Sequence, residues 1–165
     1  MKKKQYLSSD IYLVNAKYNK KERYHYFEEP DNVIVIPVIN NKFILVKQKR
    51  IPIKKKNIEF PMGRVDLNED PIDAASRELL EETGYQSTTE LNKLVTFFAD
   101  PGRGSRRVTC FYTKNLKFVK KPERGIELLF LNIKEISRLI CDNEFNSSSN
   151  IAALYYYINK KFQKI

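Results

Sequence analysis

Four glutamates and an arginine fall within fourteen residues: Glu69, then Arg77, Glu78, Glu81 and Glu82 in the run Arg77-Glu78-Leu79-Leu80-Glu81-Glu82-Thr83-Gly84-Tyr85. On a helix advancing about 100° per residue, with Glu78 at zero, Glu82 falls near +40° and Glu81 near −60°. Three carboxylates then share roughly a 100° sector. Like charges four residues apart destabilise an isolated helix, so a protein that keeps Glu78 and Glu82 together near its core needs a positive charge between them. A hard divalent cation supplies it, because Mg²⁺ takes oxygen ligands from a few carboxylates plus substrate phosphates. Glu69, just before the helix, can fold back over the same face, and Arg77 can pair with one carboxylate and orient it. The bland alternative is an exposed acidic helix edge balanced by neighbouring lysines.

These side chains need a helix and a surface to lay it on. Asp70-Pro71 is a strong helix start, an N-cap candidate before proline at the first helical position. The spacing predicts a helix through Glu82 that stops near Gly84, a good C-terminal glycine. Ile72, Ala75 and Leu79 form an adjacent apolar stripe able to anchor it on a sheet. Val33–Ile39 and Phe43–Lys47 are β-rich and separated by Asn40-Asn41, which reads as a hairpin. Pro37 removes a ladder donor and is expected at an edge or bulge. Further strands are expected near Ile58–Met62, Leu94–Phe98, Val108–Thr113 and Leu128–Ile133, with short ones around Ile11–Val14 and Tyr24–Phe27. Ala99–Arg107 reads as a Gly- and Arg-rich loop. Helices at about Lys134–Ile140 and Ile151–Phe162 close the chain. Strands with few helices and no regular βαβ repeat point to an α+β sandwich with a mixed sheet.

A chain of 165 residues fits one ordinary domain. Apolar residues at 42% supply a core, which excludes a wholly disordered or collagen-like chain. No run approaches the ~18 apolar residues of a membrane span, so no membrane partner is expected. The polar Gln5, Ser8, Ser9 and Asp10 interrupt what would have to be an apolar signal region. Cys110 and Cys141 form no metal pattern with the lone His25, and free thiols without an export signal point to the cytoplasm. The formal charge of +10 fits either an anionic partner or plain solubility. Lysine clusters at 2–4, 20–21, 47–50 (closed by Arg50) and 54–56 suit both.

The spacing resembles the Nudix box, Gly-x5-Glu-x7-Arg-Glu-apolar-x-Glu-Glu-x-Gly-apolar, with every position filled: Gly63, Glu69, Arg77, Glu78, Leu79, Glu81, Glu82, Gly84 and Tyr85. A chance match in this length is on the order of one in a million. The resemblance implies a Nudix-type α/β/α sandwich over residues 31–165 and a divalent metal, Mg²⁺ or Mn²⁺. Glu78 and Glu82 would be its main ligands, with Glu69 in the same shell and the Met62 carbonyl adding a donor. Glu81 would stand beside them in catalysis, with Arg77 as the orienting partner. Such enzymes cut a pyrophosphate joining a nucleoside to another group, chemistry that needs neutralised oxygens, an in-line water and a stabilised leaving phosphate.

Glu29-Pro30-Asp31-Asn32-Val33, Gln48-Lys49-Arg50, Glu59-Phe60-Pro61-Met62-Gly63 and Pro101-Gly102 are similar to the framework of ADP-ribose pyrophosphatases. Pro101 lies 17 residues beyond Gly84, about where that branch carries its marker proline. On this likeness Arg50, Glu59, Pro101, Arg103 and Tyr26 are the substrate-binding candidates, and ADP-ribose is the expected substrate. Two departures stand out. Met62 replaces a usual small residue, and the late acidic string is reduced to Glu123 and Glu127, so Glu123 is the candidate base with Glu127 second. Glu127 equally suits a strand-edge salt bridge. Arg103, Arg106 and Arg107 would grip a phosphate or ribose, or else solvate a loop. Tyr24, Tyr26 and Phe27 are candidates to stack on the base. The branch implies a homodimer in which the N-terminal strands, residues 1–30, are exchanged. Two alternatives remain: a hydrolase of triphosphate-ended RNA, and a non-catalytic nucleotide-binding regulator.

Overall fold

The computed structural model describes residues 3–8, 10–17, 19 and 22–160. An N-terminal sheet of β1 (Lys3–Ser8), β2 (Ile11–Lys17) and β3 (Arg23–Glu28) comes first. Then follow β4 (Asn32–Ile39), β5 (Lys42–Arg50), β6 (Lys55–Glu59), β7 (Met62–Arg64), α1 (Pro71–Thr83), β8 (Tyr85–Ser87), β9 (Asn92–Phe98) and β10 (Arg107–Thr113). The chain continues with β11 (Leu116–Phe118), β12 (Glu127–Leu131), α2 (Ile133–Cys141) and α3 (Ser148–Asn159). The expected last strand ends at Leu131, because Asn132 turns the chain by capping α2 with a full capping box. Phe162, the expected end of the last helix, lies outside the described residues, as do Lys2, Lys20 and Lys21.

The central sheet runs β12-β5-β4-β10-β9, with β6 beside β5 and β7 beside β4. β4 pairs parallel with β10 and antiparallel with β5 and β7, so the sheet is mixed. Strand alternation divides the core in two. Val33 and Val35 face Ala74, Ala75 and Leu79 of α1, whereas Ile34, Ile36 and Val38 join Ile136 of α2 and Ala153 and Leu154 of α3. Both sheet faces are therefore covered by helices, an α/β/α sandwich. Among the described residues no helix is long and apolar enough to cross a membrane.

Pro37 is neither at an edge nor in a bulge: it lies buried in the central strand β4, opposite Thr113 of β10. The strand tolerates it because its other flank is open there. The Val35 N–H donates across that flank to the Pro61 carbonyl, so position 37, two residues on, faces the same side. Pairing with β7 ends at Ile34, and pairing with β5 begins only at Val38. The missing N–H falls in the gap between these two ladders.

Candidate active site

α1 begins at Pro71 behind Asp70, whose backbone is extended but whose side chain makes no capping bond. It ends at Gly84, left-handed at φ 73°, where a side chain would strike the Lys120 carbonyl. Between these stops the buried Ala74, Ala75 and Leu79 hold the helix on β4 and aim its acidic side at β7 and β5.

The carboxylates divide into two groups. Arg77 gathers the first. Its Nε and Nη2 grip Glu69 at 2.9 and 3.0 Å, and its Nη1 reaches Glu78 at 2.7 Å and Glu81 at 3.3 Å. The Arg64 carbonyl accepts from Nη2 at 3.0 Å and fixes the plane of the guanidinium. Arg77 is thus held well above the ordinary arginine range, first by Glu69, and its hydrogen bond pulls Glu69 below the usual carboxylate value. Glu78 is different: burial raises it, and Arg77 offsets this only in part while Glu81 and Glu123 add repulsion. The Glu78 carboxylate rests against Gly63, where a Cβ would lie 1.9 Å from its Oε1. Only glycine fits.

Glu82 stands apart. It is buried, accepts from the Met62 N–H at 2.9 Å and from Gln48 Nε2 at 2.7 Å, and feels the charge of Arg50 from a distance. Burial pushes it up to about 7, against the pull of those two donors. Nearby, buried Glu59 receives Arg50 through a two-point contact at 3.0 and 2.5 Å and Asn57 at 2.8 Å. Arg50, Glu59, Met62, Gly63, Arg64, Glu78 and Glu82 line one cleft of about 470 Å³. Arg64 also borders a larger cavity of about 860 Å³ between the N-terminal sheet and the loop before α1, walled by Tyr12, Tyr26, Glu28, Glu29 and Asp66 among others.

Of the expected site residues, Arg77, Glu69, Glu78 and Glu81 meet directly, and Glu82, Met62, Arg50 and Glu59 share the cleft with Glu78. The Glu123 N–H donates to the Glu81 carbonyl at 3.0 Å, which tethers the loop carrying the candidate base to α1. Glu127 opens β12, exposed and 3.8 Å from Lys56, the strand-edge pairing. Tyr26 lies in the larger cavity and bonds Glu28 at 3.3 Å. Pro101 sits exposed in the turn that brings Arg103 over the Phe27 ring at 5.9 Å. The other loop arginines do more than solvate the loop: Arg106 pairs with Glu29, and Arg107 with Asp31 at 2.6 Å.

Three contributors were not assigned a role from sequence: Gln48, Asn57 and Tyr12. Gln48 and Asn57 are cross-strand partners on β5 and β6, and two-residue alternation from Arg50 and Glu59 would have placed both on the site's face.

Among the described residues, no three Asp, Glu, His or Cys side chains already form a cage for a metal ion. Glu69, Glu78 and Glu81 converge on Arg77 instead. The donor set nevertheless fits a hard divalent cation: all the candidate ligands are oxygens, and the partly buried Glu78 and buried Glu82 face one cleft where burial raises both.

A family profile described as the NUDIX domain matches residues 28–144. Over 153 residues the chain is 29% identical to the ADP-ribose pyrophosphatase of Bacillus subtilis (strain 168), covering 89% of this chain and 80% of that protein. The methanol dehydrogenase activator of Bacillus methanolicus matches with the same identity over the same share of each chain. Among solved structures, the crystal structure of an ADP compounds hydrolase superposes with a TM-score of 0.81 over 99% of this chain and 94% of that one. At 20% identity that likeness is one of fold.

Proposed function

The chain belongs to the Nudix family, and from that premise we propose that it hydrolyses the pyrophosphate of a small nucleoside diphosphate compound, with ADP-ribose giving AMP and ribose 5-phosphate as the preferred reaction. The observation that carries this reading is Glu78 and the buried Glu82 side by side at one cleft, joined through Arg64 to a cavity large enough for a nucleoside. We assign Glu78 and Glu82 as the principal ligands of Mg²⁺ or Mn²⁺, with Glu69 and the Met62 carbonyl completing the protein's share. The bound metal would neutralise the pyrophosphate oxygens and polarise water.

The chain's own groups do the rest. Arg77 holds Glu69, Glu78 and Glu81 in one orientation, and Gln48 and the Met62 N–H fix both oxygens of Glu82. Glu123, beside the same cluster, is the proposed acceptor of the proton from the attacking water. Water adds across the P–O–P bridge, one phosphorus keeps the water oxygen, and the bridging oxygen leaves on the other phosphate. Arg50 and Glu59, paired with each other at the cleft wall, are the proposed substrate contacts there. Tyr26 and Tyr12 offer aromatic faces to the base. Pro101 and Arg103 border the N-terminal strands, where the Phe27 N–H donates to the Arg103 carbonyl.

The reading includes a homodimer with residues 1–30 exchanged, and a cytoplasmic setting consistent with the two free thiols. Triphosphate-ended RNA, for which the +10 charge and the arginine-rich loop would speak, is disfavoured, because Arg106 and Arg107 of that loop are already paired with acids. The retained box glutamates disfavour a non-catalytic regulator. Product analysis with ADP-ribose, ADP-glucose, GDP-mannose and triphosphate-ended RNA, with Mg²⁺ and then Mn²⁺, tests the proposal. AMP plus ribose 5-phosphate is the expected result; pyrophosphate from RNA with the sugars intact would overturn it.

A further inference from the structure

The β5–β6 hairpin ends in six consecutive exposed residues, Ile51-Pro-Ile-Lys-Lys-Lys56. Ile51 is 81% exposed and Ile53 49% exposed, at the outermost point of the hairpin. The turn between them and the strands is closed by the Lys54 N–H donating to the Ile51 carbonyl, with Lys54 at φ 55°. Below the tip the two nearest cross-strand pairs are cation on cation, Arg50 opposite Lys55 and Lys49 opposite Lys56. Like charges set directly across a ladder oppose pairing. Glu59 takes up Arg50, and Glu127 approaches Lys56 from 3.8 Å with both side chains more than half exposed, where such a pair contributes little.

Alternation puts Lys49 and Lys56 on one face of the hairpin and Lys55 on the other, with Lys54 in the turn. The result is an aliphatic point ringed by lysines. A soluble hairpin tip gains nothing from two exposed isoleucines, and a ladder gains nothing from opposed cations. A partner that is apolar inside and anionic at its rim relieves both. Phospholipid bilayers have that layering, with phosphates outside the acyl boundary. Nucleic acid supplies the anions but no apolar interior, and it favours aromatic platforms over aliphatic ones.

We propose that this tip is a peripheral docking element for an anionic phospholipid surface, with Ile51 and Ile53 entering the acyl boundary and Lys49, Lys54, Lys55 and Lys56 meeting the headgroup phosphates. The proposal departs from the expectation of no membrane partner, which rested on the lack of a spanning segment. It is independent of the substrate reading.

The chain contains no tryptophan, so Ile53→Trp places a single fluorescent reporter at the tip. With vesicles of phosphatidylcholine containing phosphatidylglycerol, the full chain is expected to co-sediment and the reporter to shift to the blue. Vesicles of phosphatidylcholine alone, or high salt, should abolish both. The double variant Ile51→Ser, Ile53→Ser should lower vesicle partition by at least about tenfold, and Lys54→Glu with Lys56→Glu should remove it. These positions are exposed, so thermal melting should be unchanged and serves as the folding control. No sedimentation of the native chain, or sedimentation without a blue shift, would overturn the proposal. So would binding of single-stranded RNA that survives the serine variant while vesicles are ignored, since that would make the hairpin a nucleic-acid edge.

Discussion

Two arginine-bearing regions of this molecule treat charge in opposite ways. Around α1, Glu69, Glu78 and Glu81 share one close cation, Arg77, Glu82 feels only the more distant Arg50, and burial raises both Glu78 and Glu82. In the loop of residues 101–107, Arg106 and Arg107 each own an acid, Glu29 and Asp31. These two pairs are balanced and tie the segment between β3 and β4 to β10. The helix is unbalanced, and the imbalance is what a metal and a phosphate chemistry would use. A basic loop beside a binding site is thus no sign of phosphate binding until its own acids have been paired off.

The largest effect expected on this contrast comes from Glu82→Gln. Losing a proposed principal metal ligand should lower kcat by about a thousandfold or more, with the fold retained, because the glutamine carbonyl can still accept from the Met62 N–H while its amide NH2 donates to the carbonyl of a flipped Gln48 side chain. The same variant carries a pH signature in metal-free protein. Burial raises Glu82 from 4.5 to about 7, so between those values the folded chain binds a proton that the unfolded chain has lost. Stability is therefore complete below about pH 4.5 and declines as pH rises through 7, by up to about 3 kcal/mol. Denaturant melts from pH 5 to 8 should show the decline, Glu82→Gln should flatten it, and Mg²⁺ should reverse it at the alkaline end. A flat native profile would mean that Glu82 is already compensated and the contrast is wrong.

Arg77→Met comes next. It leaves three carboxylates without their shared cation, and metal-free protein should lose about 2 kcal/mol, or roughly 4–8 °C in Tm. Millimolar Mg²⁺ should return part of that loss, which a purely structural arginine would not allow. Gln48→Leu should act more gently. It removes one of two donors to Glu82 and should weaken Mn²⁺ binding, followed by direct titration, by about tenfold.

The acidic side of α1 was legible because a helix converts spacing into direction, and Glu69, Arg77, Glu78, Glu81 and Glu82 all lie within or just before one helix. The sandwich was legible from the β runs and their breaks. Long-range placement was not. Pro37 reads as an edge residue, since nothing local reveals that β7 and β5 leave a gap in the ladder beside it. Arg106 and Arg107 read as free charge, since their partners lie 77 and 76 residues away in sequence. Gln48 stood in a family framework and on the same strand face as Arg50, but its role depends on Glu82, 34 residues away in sequence. Sequence shows which side chains share an element; it does not show which charges are already spent.

The smallest effect is expected on the other side of the comparison, from Arg107→Met. Arg107 donates from Nε at 2.9 Å and Nη2 at 2.6 Å to Asp31, and its backbone N–H reaches the same carboxylate at 2.9 Å. The guanidinium is 60% exposed, so solvent screens the pair, and its loss should cost less than about 1 kcal/mol. Asp31 keeps the backbone N–H, which limits the damage further. If the pair is only a tie between β10 and the start of β4, KM for ADP-ribose stays within about twofold of native and its salt dependence is unchanged. If Arg107 instead released Asp31 to bind a substrate phosphate, a charge-assisted contact would be lost, and KM should rise by about tenfold or more. Steady-state kinetics at two salt concentrations separates these outcomes, and the second would move the loop from the balanced side of the comparison to the active one.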